Sequence, residues 1–168
     1  MKILRKGFLA LALISLSFNL FADEEAPLAN FQMLTPATAL KLAQATLKSC
    51  RDSGYQIAVA VVDRMGVTQV MLRDRFAGPH TPETATRKAW TAASFKTGTM
   101  AMAEETQAGK EQSGVRFVSK AMMIGGGLPI NAAGTLVGGI GVSGAPGGKI
   151  DEKCAQDGLD KIDDELNF

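Results

Sequence analysis

Histidine is all but missing from this chain, with one in 168 residues, and there are only two cysteines. Without a second His no His-rich metal centre can be built, and neither an H-E-x-x-H helix nor a C-x-x-C pair occurs. Ser143 stands in "GVSG", but the segment lacks the last glycine of a G-x-S-x-G nucleophile elbow. Charge is also scarce: 21% of residues are charged, with 18 Lys and Arg against 17 Asp and Glu. A chain this close to neutral carries no electrostatic footprint for nucleic acid, which is excluded as a partner. No apolar run reaches the ~20 residues that cross a bilayer. What remains is 46% hydrophobic and of a length that suits one globular domain with a fair-sized core.

The first residues form a class of their own. "MKILRKGFLALALISLSFNLFADEE" has a basic start, an apolar run from Gly7 to about Leu16, and a small residue, Ala22, ahead of Asp23, Glu24 and Glu25. The pattern predicts a secretory signal peptide over 1–22, cleaved after Ala22, and hence a periplasmic or secreted chain. Residues 23–34 are expected to form a flexible leader and 35–168 the domain itself. No Cys follows the cleavage point, so neither a lipid anchor nor a stable membrane insertion is expected once the peptide is removed. Cleavage takes Lys2, Arg5 and Lys6 and no acid, which moves the net charge from +1 to about −2.

Export makes the cysteines informative. In an oxidising compartment Cys50 and Cys154 either form one disulfide or lie as two packed thiols. Cys50 shares a helical face with Leu40, Ala43 and Leu47, and Cys154 shares one with Gly158 and Ile162, so both are expected to point inward. If the first and last helices lie side by side, a bridge closing so long a loop would stabilise the fold by roughly 2 to 5 kcal/mol.

Local signals set out the elements. Thr35-Pro36 is an N-cap and first-turn pair that opens a helix running to about Ser53, where Gly54 ends it. "YQIAVAVVD" (55–63) and "VTQVMLRD" (67–74) read as the arms of a hairpin, with Asp63 at the first position of the turn. Thr81-Pro82 repeats the cap signal, and Glu83 complements the dipole of a helix expected to run through "ETATRKAWTAASFKTGTMAMAEE". That helix carries Ala85, Ala89 and Ala92 or Ala93 on one face, which predicts close packing against a sheet. "AMMIGG" and "LPINAAG" read as short strand and turn, "TLVGGIGVSG" as a long strand, and "IDEKCAQDGLDKIDDELNF" as a final helix. "VRFVSK" is ambiguous. The order is α-β-β-α-β-β-α, an α/β (α+β) domain without internal repeats.

Gly139, Gly141 and Gly144 match G-x-G-x-x-G, the spacing of a dinucleotide-binding turn. Such a turn lies between a strand and a helix of a βαβ unit, with an acidic residue about 20 positions on. Here the glycines fall within a strand and only 24 residues follow Gly144, so the match is coincidental. Glycine nevertheless weakens a strand unless something must come close. "IGGGLPI" and "GGIGVSG" leave that hairpin nearly bare of side chains. Either a helix packs tightly on it, or a flat ligand or a neighbouring subunit does.

"VAVVDRMG", "GPHTPETATRKAWTA", "IGGGLPI" and "GGIGVSGAPGGKIDEKCAQDGL" resemble, in order and spacing, the GlcG/HbpS family. This is the DUF336-like haem-binding or haem-degrading domain, a relative of which forms the C-terminal part of some corrinoid adenosyltransferases. The resemblance covers about residues 35–163. It implies a profilin-like layered domain with an antiparallel sheet of about five strands flanked by helices, assembled into homo-oligomers. It also implies binding of haem or a related tetrapyrrole, with slow iron-dependent haem degradation or a sensory role in some members. Two other readings stand beside it: an accessory subunit of a periplasmic enzyme system, and an enzyme acting on a small hydroxy acid.

Haem requires an axial ligand and an apolar slot with cations for its propionates. His80, in "AGPHTPET", is the sole His and the candidate axial ligand, the alternative being a capping or surface residue. Members that ligate haem through a His near the first helix have no counterpart here, since residues 35–54 contain none. Arg73, Arg75, Arg87 and Lys88 cluster where they could meet a carboxylate, and Gly126, Gly127 and Pro129 allow a flat ligand close approach. Met100, Met102, Met122 and Met123 are either soft ligands or core filler. Asp151 and Glu152 open the last helix, where they suit the dipole and can bind the preceding glycine-rich turn through backbone amides.

Overall fold

The hairpin signal in "YQIAVAVVDRMGVTQVMLRD" is realised as β1 (Ala58–Asp63) and β2 (Thr68–Arg73) in a computed structural model that describes residues 27–167. The expected signal peptide lies outside those residues, as does the start of the leader. The main unit begins at Phe31. Around the hairpin stand α1 (Pro36–Asp52), α2 (Thr81–Phe95), α3 (Thr99–Glu105), β3 (Gly127–Ala132), β4 (Thr135–Ser143), α4 (Gly148–Asp160) and a short α5 (Asp163–Leu166). The described sheet is antiparallel with four strands in the order β2-β1-β4-β3. "AMMIGG", expected as a strand, runs without regular structure, and the pairing begins at Gly127.

Local chemistry accounts for the element ends. Thr35 Oγ1 caps α1 by accepting from the Thr38 amide, with Pro36 in the first turn. Asp63 Oδ1 accepts from the amides of Met65 and Val67 and closes the β1–β2 turn. The second helix, expected to continue through residue 105, stops at Phe95, where Lys96 turns left-handed (φ 54°). The chain restarts as α3 after Gly98 because Thr99 is drawn inward, its hydroxyl accepting from the Gly127 amide at 2.8 Å. "VRFVSK" begins in a 3-10 turn over Glu111–Phe117.

The strict alternation in β1 decides the layering. Val59 and Val61 face a core with Leu42, Ala43, Ile140 and Val142, under α1 and α4. Ala58, Ala60 and Val62 face the other way, onto Ala85, Ala89 and Ala93 of α2. A strand buried on both sides needs apolar residues throughout, which explains the unbroken "IAVAVV".

The bare glycine face is covered by a helix. A Cβ at Gly141 would sit 2.0 Å from the Ala85 carbonyl oxygen, and one at Gly139 would sit 2.5 Å from that of Ala89. Only hydrogen at these two positions lets α2 lie against β4. On the opposite layer, α1 packs against α4, and Cys50 and Cys154 are joined in a disulfide with their Cα atoms 5.4 Å apart. Leu40, expected on the Cys50 face, is instead 39% exposed, and Ala39, Leu42 and Thr46 take the inward positions.

Candidate functional site

Helix α2 separates two clefts. The larger, of about 770 Å³, is bounded by Met71 of β2, by Pro82, Arg87 and Trp90 of α2, and by Ser119 and Lys120. Trp90 lies across the turn after β1, where a Cβ on Gly66 would fall 2.5 Å from its ring. Arg87 is anchored at the cleft edge: its Nε donates to the Lys120 carbonyl at 3.2 Å and a terminal nitrogen to that of Ala121 at 3.1 Å. The fork holds the 120–121 segment against α2 and keeps a half-exposed guanidinium at the mouth.

The smaller cleft, of about 380 Å³, lies between the N-terminal turns of α2 and α4 and contains His80, Thr84, Met122 and Ser143. His80 is exposed and offers no side-chain cap to α2; its ring rests on Gly78, where a Cβ would come 2.8 Å from Cε1.

Lys88 lies within the wall of this cleft, 1% exposed, where sequence reasoning expected a cation free to meet a ligand. Its ammonium donates to Asp151 Oδ2 at 2.8 Å and to the Val142 carbonyl at 2.9 Å. Asp151 Oδ1 accepts from the Ala145 amide at 3.0 Å, which is the expected grip of a helix-opening carboxylate on the preceding turn. Burial holds the Asp151 carboxyl above its ordinary value of 3.8; Lys88 and the amides of Ala145 and Gly144 pull it down, but by less. Gly126, in the left-handed region at φ +114°, is required here because a Cβ would meet Asp151 Cβ at 2.6 Å and Lys88 Nζ at 3.0 Å. Its amide donates to Glu152 Oε2 at 3.3 Å.

The expected cluster is therefore divided. His80, Lys88 and Gly126 come together around the smaller cleft, and Arg87 borders the larger. Arg73 is exposed and bonds the Ala77 carbonyl within its own loop. Gly127 and Pro129 lie in β3, with Gly127 packed under the Lys88 carbonyl. Two pairings escaped the sequence reading. Met71 and Trp90 meet only through the β2–α2 juxtaposition, and the Lys88–Asp151 pair spans 63 residues.

The chain is a layered α/β domain with a central antiparallel sheet and a cleft on each flank of α2. The chain belongs to the family described as haem degrading protein HbpS-like, which matches residues 34–160. A crystal structure of Streptomyces reticuli HbpS, as a double mutant, superposes with a TM-score of 0.76 at 36% identity, covering 80% of this chain and 90% of that one. A structure of the complex of PduOC with haem gives a TM-score of 0.72 at 28% identity over 77% of this chain and 95% of that one. The corrinoid adenosyltransferase PduO of Salmonella typhimurium is 31% identical over 106 residues, which are 62% of this chain but only 32% of that protein. The match thus spans about a third of the transferase.

Proposed function

We propose that this chain is an exported haem-binding protein whose larger cleft receives a flat tetrapyrrole. The observation that carries the reading is that cleft: about 770 Å³, with Trp90, Met71 and Pro82 as apolar surface and the cations Arg87 and Lys120 at its edge. The residues fit the group. An indole and a thioether suit the faces of a macrocycle, and two cations suit its propionates. Met71 is the soft donor lining this cleft, whereas His80 lies in the smaller one. Bound haem would supply iron redox chemistry, and slow degradation or sensing would follow from it. The chain's own groups stack on the ring, pair its carboxylates and shield one face from water. A homo-oligomer is part of the same reading, since Phe76 and Phe117 are 78% and 90% exposed in the single chain.

The test is a haem titration of residues 23–168 followed by Soret absorbance, with Arg87→Ala, Trp90→Ala and His80→Ala alongside. A saturable shift at about one haem per chain is expected, weakened about tenfold or more by the first two variants and unchanged by the third. Loss in His80→Ala alone would move haem to the smaller cleft. Weak, non-saturating binding by the parent chain would overturn the reading.

A further inference from the structure

The smaller cleft holds donors that the fold does not use. Ser143 ends β4 opposite Ala58, and paired residues of an antiparallel ladder share a face, so its side chain stands on the α2 side of the sheet. It is 5% exposed, lines the cleft, and among the described residues its hydroxyl has no hydrogen-bond partner. Beside it Lys88 bonds Asp151 and the Val142 carbonyl, which accounts for two of the three donors an ammonium carries. The 13-residue helix α4 begins against the same space. Its N-cap, Gly147, has no side chain, and among the described residues no acceptor takes the amides of Gly148 and Lys149. A hydroxyl of a buried residue open to the cleft, an ammonium with a donor to spare and an uncapped helix start converge on one cavity of about 380 Å³.

Such an array seeks an oxyanion. The charge balance sets its kind. Asp151 already neutralises Lys88, so the wall offers donors and a helix dipole but no net cation, which suits a single negative charge better than a double one. Exposed His80 closes the rim. We infer that the cleft between the N-terminal turns of α2 and α4 binds the carboxylate of a small monocarboxylic acid, held by Ser143, Lys88 and the first amides of α4. The same group is presented by a free acid or by a propionate of a larger ligand. This inference stands apart from the haem reading, because acetate and lactate binding, on which it holds or fails, is measured without haem.

His80 is the only His of the chain and lines this cleft, so its ring signals in NMR report on the cleft alone. Acetate, lactate and inorganic phosphate are titrated into residues 23–168 at neutral pH, with Ser143→Ala in parallel. Acetate and lactate are expected to give saturating shifts of the His80 ring and of the Gly148 and Lys149 amides. Binding should weaken about tenfold in Ser143→Ala, and phosphate should bind about tenfold more weakly than either acid. Haem added to the acetate-loaded chain separates the two sources: displacement of acetate assigns the carboxylate to a propionate, and retention assigns it to a free acid. Absence of saturation up to about 50 mM, a level beyond the millimolar range of weak specific sites, would overturn the inference. Equal response to phosphate, or unchanged affinity in a folded Ser143→Ala, would do the same. If that variant does not fold, the amides of Gly148 and Lys149 in the parent chain decide: unmoved amides overturn the site and saturating shifts uphold it.

Discussion

At Gly141 the space for a methyl group is already filled by the Ala85 carbonyl, 2.0 Å from where a Cβ would stand. The obstacle is backbone on both sides, so neither partner can swing away, and Gly141→Ala must push α2 off the sheet. The expected cost lies at or above the usual overpacking range of about 1 to 3 kcal/mol, read as a lowered urea midpoint. A midpoint unchanged from the parent would contradict the packing. Lys88 poses the opposite problem. Lys88→Met preserves the volume but leaves Asp151, 3% exposed, without its cation. Removing one partner of a buried pair costs about 3 to 5 kcal/mol, so this variant should unfold at markedly lower urea than an exposed control such as Lys48→Met. Among the described residues Lys48 pairs only with Asp52 at the surface, where a salt bridge contributes little.

Among the helices, α1 and α4 pack most extensively on one another. Their contact is close enough that Gly158 of α4 passes Thr46 of α1 with no room for a Cβ, which would fall 1.9 Å from the threonine hydroxyl. The Cys50–Cys154 bond fixes this pair across a sequence separation of 104. By the loop-closure argument it stabilises the fold by about 2 to 5 kcal/mol, through fewer conformations of the unfolded chain. The Cys50→Ala, Cys154→Ala double variant should therefore melt at lower temperature than the oxidised parent, and a reductant should lower the parent but not the variant. Equal melting of parent and variant under oxidising conditions would mean the bond contributes nothing. Helix α2 contributes differently, as a thin wall. Its alanine face lies on the sheet, while two successive residues divide between the two clefts, half-exposed Arg87 to one and buried Lys88 to the other.

For the whole molecule, what could be read in the sequence was whatever local order controls. The cap at Thr35, the turn at Asp63 and the inward face of Cys50 are decided within a few residues, and so the element order and layering were legible; the cap expected at Thr81 is not formed, since Thr81 is the first residue of α2 and its hydroxyl donates to the Gly78 carbonyl. The break at Lys96 was not: the weak helix formers Thr97-Gly98-Thr99 were read through because good helix formers follow in "MAMAEE", and the contact that draws Thr99 inward comes from the distant Gly127 amide. The same limit hid the ion pair: nothing near Lys88 marks it as buried, and Asp151 reads equally well as a helix-opening residue. The glycines announced a close approach but did not say of what; the carbonyls of α2 supplied the answer.

Two aspartates of α4 then predict opposite responses of the whole fold to pH. Asp151 has its carboxyl raised above 3.8, mainly by burial, so the folded chain holds that proton more tightly than the unfolded chain does. Its contribution to stability is complete below about pH 3.8 and declines as pH rises through the folded value. Asp157 is lowered below 3.8, first by its hydrogen bond from Lys153 and then by that from Ser49, so its contribution is present above that value and disappears on acidification. Neither Asp151→Asn nor Asp157→Asn can titrate at the mutated site. The difference in stability between parent and Asp151→Asn should therefore move against the parent as pH is raised from about 3 toward neutrality, while the difference between parent and Asp157→Asn should move in its favour. Urea unfolding of the three proteins at several pH values reads both slopes. The Asp157 effect should be the smaller and should fade with added salt, because that group is close to solvent and its partners are screened. Slopes of the same sign would show that Lys88 outweighs burial at Asp151, and that the pair beneath the smaller cleft stabilises the fold at neutral pH.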